Sequence, residues 1–302
     1  MNYRKLGNTG LMVSEVGMGC NRLGEKNYPD DHWVSLVKHA VELGVNIFDT
    51  SESYGRGRSE EMLGKALGNQ DDVYIATKIS GWRKKEDRFS AKRMAKSVED
   101  SLKRLQRDCI DIYQLHSPGR EDMEKYNWAE GMEKLKKQGK IRFSAVAVNS
   151  SEDGIWLMKQ DLVQVLQITY NIFETQAEKL LFGMAEEKGV GLLCRMPLAR
   201  GVLTGKFKPG EDIPEGYRAN LDGERAVNRT KWVEDLRPLA DKYEGGLTRM
   251  ALHFSLTPEA ISAIIPGSRT VEQLEENVSA SNGTGLPEKV QKEIEAISEK
   301  WS

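Results

Sequence analysis

The sequence predicts an α/β fold: a (β/α)8 TIM barrel with an N-terminal β-hairpin and an extra C-terminal helix. Three observations carry this. Short apolar, β-branched runs alternate eight times with longer amphipathic segments. Most of the runs are continuous in apolar residues, as parallel strands covered on both faces require. No Pro-, Gly- or Ser-rich linker divides the 302 residues, a length that fits one barrel of about 250 residues plus additions. A doubly wound sheet with an appended domain is the alternative, and the eightfold alternation disfavours it.

The stretch Tyr3–Val13, broken by Gly7-Asn8-Thr9-Gly10, reads as the hairpin. The strand runs are Glu15–Met18, Asn46–Asp49, Val73–Thr77, Ile110–Leu115, Ile141–Val148, Val165–Thr169, Gly191–Arg195 and Ala260–Ile265. Helical spacing covers Asp30–Leu43, Ser59–Leu67, Ser90–Leu105, Lys125–Lys137, Ser151–Lys159 and Glu178–Lys188. It continues at Trp232–Tyr243 or Leu247–Leu256, at Thr270–Ser281 and in a final helix at Pro287–Ser302. Ser59 and Ser90 read as helix starts. Gly44, Gly68, Gly139 and Gly189 read as helix stops. The longest irregular stretch, Lys206–Arg229, is expected to be a functional lid or a disordered segment.

Composition excludes several classes. The net charge is -2, from 44 basic and 46 acidic residues, so the surface carries no footprint for nucleic acid or anionic membrane. Cys20, Cys109 and Cys194 are too few and too scattered for a disulfide framework. The N-terminus lacks the apolar core of a signal peptide, and no run of about 18 apolar residues could span a bilayer. A soluble cytoplasmic protein is expected. No GxGxxG follows a strand, and Gly201–Phe207 has the wrong spacing for a P-loop. His32 and His39, on the first helix beside Lys38 and Glu42, are expected to be solvated, and no metal site is expected.

In a barrel the reacting groups sit at the C-terminal ends of strands and in the loops that follow. The second strand ends at Asp49, and Tyr54 lies five residues on; the third ends at Lys78 and the fourth at His116. One acid, one phenol, one amine and one imidazole would converge on one rim. A tyrosine with a pKa near 10 is a poor proton donor at neutral pH, and a neighbouring ammonium favours its phenolate. A carboxylate keeps that lysine charged and placed. An imidazole can orient a carbonyl oxygen. The set suits protonation of a developing alkoxide during hydride delivery.

At these positions the residues match a family. Gly44–Gly55 (GVNIFDTSESYG) and Gly57–Gly64 (GRSEEMLG) resemble the aldo-keto reductase signature. So do Ala76–Lys78, Ser101–Leu105, Asp111–His116, Gly139–Arg142, Pro197–Lys206 and Ile265–Arg269. The resemblance runs from Tyr3 to Ala280 and is nearest to the bacterial branch beside the potassium-channel β-subunit-like reductases. It implies a single TIM barrel domain over residues 1–302, NADPH/NADP as cofactor and carbonyl reduction without a metal. It assigns Tyr54 as general acid, Lys78 as its partner, Asp49 as the group orienting Lys78, and His116 as the carbonyl-positioning group. It places Gln167 on the nicotinamide carboxamide. Pro197, Leu198, Gly201, Leu203, Gly205 and Lys206 fall around the pyrophosphate and ribose. Gly267, Ser268, Arg269, Gln273, Glu276 and Asn277 fall at the adenosine end. Arg269, at a helix N-terminus, suits a 2′-phosphate and so NADP over NAD.

Two departures stand out. The fifth-strand Gly-Val-Ser-Asn is here Ala145-Val146-Ala147-Val148-Asn149, so Ala147 lacks a hydroxyl and Asn149 falls one position late. Arg195 stands where an aromatic commonly stacks on the nicotinamide, and is expected to bind the cofactor or to face substrate anions. Asn21, Trp82 and Asn149 are the expected substrate contacts, and Tyr217 and Arg218 could close over the cofactor. The leading reading is a reductase of small aldehyde or ketone substrates. The alternatives are an NADP(H)-sensing regulatory subunit and a polyol or sugar dehydrogenase running in reverse. The sequence leaves the oligomeric state open.

Overall fold

The computed structural model describes residues 1–81, 87–215, 217, 223–283 and 285–301. The chain opens with β1 (Tyr3–Lys5) and β2 (Met12–Ser14), an antiparallel pair in which Tyr3 faces Ser14. The barrel strands are β3 (Met18–Gly19), β4 (Ile47–Asp49), β5 (Tyr74–Ser80), β6 (Ile110–His116), β7 (Ile141–Ala147), β8 (Val165–Thr169), β9 (Gly191–Arg195) and β10 (Ile261–Ile264). Each pairs in parallel with the next, so spatial order equals chain order. The ring closes where the Gly17 and Gly19 amides donate to the Ile264 and Pro266 carbonyls at 2.8 and 2.9 Å. A Cβ on Gly19 would lie 2.7 Å from the Ile265 carbonyl oxygen, so the closure requires glycine there.

Helices cover the outside: α1 (Asp30–Glu42), α2 (Arg58–Leu67), α3 (Ala91–Leu105), α4 (Arg120–Lys125), α5 (Trp128–Lys137), α6 (Ser151–Lys159) and α7 (Gly183–Lys188). They continue with α8 (Glu224–Ala240), α9 (Gly246–Leu256), α10 (Val271–Val278) and α11 (Glu288–Ser298). Their apolar faces bury Trp33, Val98, Trp128 and Leu157 against the outer faces of the strands. Among the described residues no helix is long and apolar enough to cross a membrane.

Several local expectations change. Tyr126 is extended, so the helix expected over Lys125–Lys137 begins only at Trp128, as α5, and a separate helix, α4, ends at Lys125. Both candidate segments before the last strand are helical, as α8 and α9. The former takes up Glu224–Arg229 of the expected irregular stretch. Ser90 caps α3 by accepting from the Arg93 amide, but Ser59 caps nothing. Its hydroxyl is buried, donating to the Cys20 carbonyl at 2.7 Å and meeting Thr50 Oγ1. A tertiary bond replaces the local one that sequence suggests. His32 is half-buried, with Nε2 2.7 Å from the Arg269 carbonyl oxygen and its ring stacked on Tyr28, so it is not a solvated residue. His39, also half-buried, lies between Glu42 and Glu275.

The alternation of side chains along the strands places the chemistry. Ile47, Ala76, Ile112, Ala145, Val165, Leu193 and Ala263 fill the barrel interior, plugged from beneath by Leu6, Leu11 and Val13 of the hairpin. Two residues further along β4 to β9, the same inward face carries Asp49, Lys78, Gln114, Ala147, Gln167 and Arg195. The interior thus changes from apolar to charged in one step, at the C-terminal end.

Candidate active site

Lys78 is fully buried, and its Nζ donates to Asp49 Oδ2 and to the Thr50 carbonyl, both at 2.7 Å. Burial on its own pushes the ammonium toward neutrality. The Asp49 carboxylate, and then Tyr54, outweigh it and hold the amine above its ordinary value. The ammonium therefore stays charged inside the barrel. It lies 5.0 Å from the centre of the Tyr54 ring. The His116 ring meets the same tyrosine edge-on, with centroids 5.6 Å apart. Asp49, Tyr54, Lys78 and His116 thus gather in one place.

Tyr54 comes to the rim because the chain turns sharply after β4. Gly55, Arg56 and Gly57 all have positive φ (56°, 59° and 96°), a left-handed run that glycine accommodates and Arg56 endures. That turn feeds directly into α2.

The groups behind the four were not singled out by their sequence spacing. Asp49 Oδ1 accepts from Gln114 at 3.2 Å and from Gln167 at 2.7 Å. Gln167, expected on a carboxamide, therefore has its amide nitrogen engaged by the acid. Ser51 Oγ lies 3.1 Å from His116 Nδ1 and donates to the Lys78 carbonyl at 3.2 Å. Ser51, fixed in this way, orients the imidazole. Cys20 is buried beside the pair; burial, then Asp49, pushes its thiol far up, and it stays neutral. The alternation of inward positions on β6 was the signal that could have found Gln114.

A groove of about 390 Å³ lies at the C-terminal ends of β9 and β10 and reaches α10; neither the four residues nor Gln167 line it. Of the expected cofactor residues, Pro197, Leu198, Gly201, Lys206, Gly267, Ser268, Arg269, Gln273, Glu276 and Asn277 line it. Leu203 does not: it is fully buried in the core. Gly205 lies against Leu247 and Arg237 instead. Asn21, expected on the substrate, lines this groove too, and so do Arg22, Arg200, Thr204 and Tyr217. Met196, Ala199 and Arg200 have φ of 55°, 45° and 59°, a strained run of backbone along the wall. Asn277 is buried and donates to Ser268 Oγ at 2.9 Å. Lys206 stands 4.6 Å from the Tyr217 ring centre, and Arg269 5.5 Å. Partial burial, then the Arg269 and Arg22 guanidinium groups, hold Lys206 below its ordinary value.

Arg195 turns away from that groove. Its guanidinium donates to Thr169 Oγ1 at 3.1 Å, to the Val148 carbonyl at 3.0 Å, and to Ser117 Oγ and Asn149 Oδ1 at 3.3 and 3.4 Å. It ties together the ends of β6, β7 and β8. Asn149 is exposed beside it, and Ala147 faces Gln167 and His116 in register. Trp82 and Arg218 lie outside the described residues.

With this geometry in view, residues 15–299 match the model of the aldo/keto reductase family. The chain belongs to that family. It is 34% identical over 315 residues to L-galactose dehydrogenase of Arabidopsis thaliana, covering 99% of this chain and 95% of the relative. It is 33% identical over 314 residues to the uncharacterized oxidoreductase YqkF of Bacillus subtilis (strain 168), covering 98% and 95%. Among solved structures, the glycerol dehydrogenase AKR11B4 from Gluconobacter oxydans superposes with a TM-score of 0.84 at 26% identity, covering 99% and 96%. The holo form of the aldo-keto reductase AKR11C1 from Bacillus halodurans gives 0.81 at 28%, covering 98% and 96%. The chain is an oxidoreductase of this family.

Proposed function

We propose that this chain is a single-domain, NADPH-dependent reductase of aldehyde or ketone carbonyls. The observation that carries the reading is the buried Lys78–Asp49 pair beneath Tyr54 and beside His116. Tyr54 donates its proton to the oxygen of the developing alkoxide. The Lys78 ammonium stabilises the phenolate left behind, and Asp49 holds that ammonium in place. His116, oriented by Ser51, places the carbonyl oxygen against the tyrosine.

The groove fits a phosphorylated dinucleotide. Ten of the expected positions line it, and it carries Arg22, Arg200, Lys206 and Arg269, cations suited to phosphates. When bound, the nicotinamide supplies or takes up a hydride. Gln167, whose nitrogen is engaged by Asp49, offers its amide oxygen to the carboxamide. Arg269 meets the 2′-phosphate, and equal affinity for NADPH and NADH would sink that assignment. One member of the family, from Schizosaccharomyces pombe, is named as using NADP(+).

Two names favour a second reading, oxidation of a sugar or polyol by the same groups: the L-galactose and glycerol dehydrogenases above. The deciding assay measures turnover of wild type and Tyr54→Phe on aldehydes, ketones, sugars and polyols in both directions. A fall in turnover on the order of 10²–10⁴-fold in the variant, with cofactor affinity kept, supports the proposal. Cofactor binding without turnover of any substrate overturns it in favour of a regulatory subunit.

A further inference from the structure

We propose that Glu52 is a positioning residue for the proton-transfer step, locking the turn that carries Tyr54 onto β5 and α3. The proposal rests on Tyr54 being the proton donor.

Strand β4 ends at Asp49, yet its pairing with β5 continues. The Thr50 amide donates to the Ala76 carbonyl at 2.8 Å and the Glu52 amide to the Lys78 carbonyl at 3.2 Å. The chain then turns off toward Tyr54, and the next amide of the ladder, that of Ser80, faces no strand carbonyl from β4. The Glu52 carboxylate takes that place: Oε1 accepts from the Ser80 amide at 3.0 Å. A side chain thus completes a backbone ladder at the point where the backbone departs from it.

The same carboxylate faces outward to α3. Arg93 Nη2 donates to Oε1 at 2.7 Å, and Ser97 Oγ donates to Oε2, also at 2.7 Å. Arg93 and Ser97 are four residues apart and share one helix face. The ion pair is largely buried, with side-chain exposures of 12% for Glu52 and 23% for Arg93. A charged pair with four hydrogen bonds from three residues on one carboxylate has little freedom.

On the inner side Ser51 touches His116 and the Lys78 carbonyl, and the Tyr54 amide donates to the Ser51 carbonyl at 3.0 Å. Ser80 pairs with His116 in the ladder. One outward carboxylate thus fixes the segment carrying the phenol relative to the strands that carry the amine and the imidazole. Without it the turn is held by fewer bonds, and the tyrosine loses its register with both partners.

The test compares Glu52→Ala, Glu52→Gln and Arg93→Ala with wild type by steady-state kinetics and by fluorescence titration with NADPH. Because a misplacement of about 1 Å can cost 10²-fold, Glu52→Ala is expected to lower kcat about 10- to 100-fold, with the dissociation constant of NADPH and the substrate KM within about twofold. Glu52→Gln keeps an acceptor for the Ser80 amide and can donate to Ser97, so it should restore kcat to within about fivefold of wild type. Arg93→Ala should fall between the two, and it and the glutamine variant decide the matter if the alanine variant does not fold. A kcat within about twofold of wild type in folded Glu52→Ala, or in Arg93→Ala, overturns the proposal. So does an equal loss of NADPH affinity, which marks general loosening. Full turnover by Tyr54→Phe would instead remove the proton-donor reading, whatever Glu52 does.

Discussion

The two ends of β5 are built alike. At the top, Glu52 accepts from the Ser80 amide and pairs with Arg93. At the bottom, Asp111 accepts from the Ile75 amide at 2.9 Å and pairs with Arg107 at 3.1 Å and Arg142 at 2.8 Å. In both, a carboxylate with little exposure satisfies a strand amide and arginine neutralises it. The surroundings differ. Asp111 ties strand starts together, and Arg107 also donates to the Gly68, Gln70 and Val73 carbonyls, closing the α2–β5 connection. Glu52 sits two residues before Tyr54. On the proposed reading the same device serves stability at one end and alignment of reacting groups at the other, the general division of labour in barrels.

The sharpest way to separate the ends is Lys78→Met. It should lower turnover on the order of a thousandfold in steady-state assays, because the phenolate loses its cation, and it should also destabilise the fold by leaving Asp49 unpaired. Retained turnover would break the contrast. Asp111→Ala should do the reverse. About 3 kcal/mol of stability should be lost in urea melts, since two arginines lose a buried partner, while kcat at room temperature stays within about twofold. A large fall in kcat of the folded variant would mean that the bottom of the barrel also sets the site. At the proposed cofactor groove, Arg269→Ala should weaken NADPH binding about tenfold, roughly 1.4 kcal/mol, and leave NADH unchanged by calorimetry. The smallest effect concerns pH. Lys206 is held below its ordinary value, so its charge is lost at a lower pH than that of a free lysine. NADPH affinity should therefore weaken several-fold on the alkaline side, starting below the ordinary lysine range, and Lys206→Met should flatten that slope.

Much of the barrel was legible because parallel strands covered on both sides must be continuously apolar, and the eight runs say so. The rim residues were legible because they end those runs. The supporting contacts were not. Ser59 looks like a cap in sequence, yet it bonds across to Cys20 and Thr50, a pairing that depends on how β3 and β4 lie together. Gln167 reads as a carboxamide ligand, but its distance to Asp49 spans 118 positions of chain. Arg195 stands at a position associated with the cofactor, yet its guanidinium reaches sideways to Ser117, Val148, Asn149 and Thr169, all brought by neighbouring strands. Leu203 belongs to a motif that lines the groove, but the turn that exposes Gly201 points the leucine inward. In each case the residue type was informative and the partner was set by register, which one chain read in a line does not display.

The barrel's closing join has a dynamic consequence. Strand β3 is only two residues long, and the Gly17 and Gly19 amides reach β10 and the residues just after it through a few isolated bonds. Asn21 and Gly267, at the head of this join, both line the groove. A nucleotide lying there would act as a hoop across the first and last staves of the cask. Its binding should slow hydrogen exchange at Gly17, Gly19 and Ile264 more than at the long β5–β6 ladder, so that loading the enzyme and tightening its wall become one event.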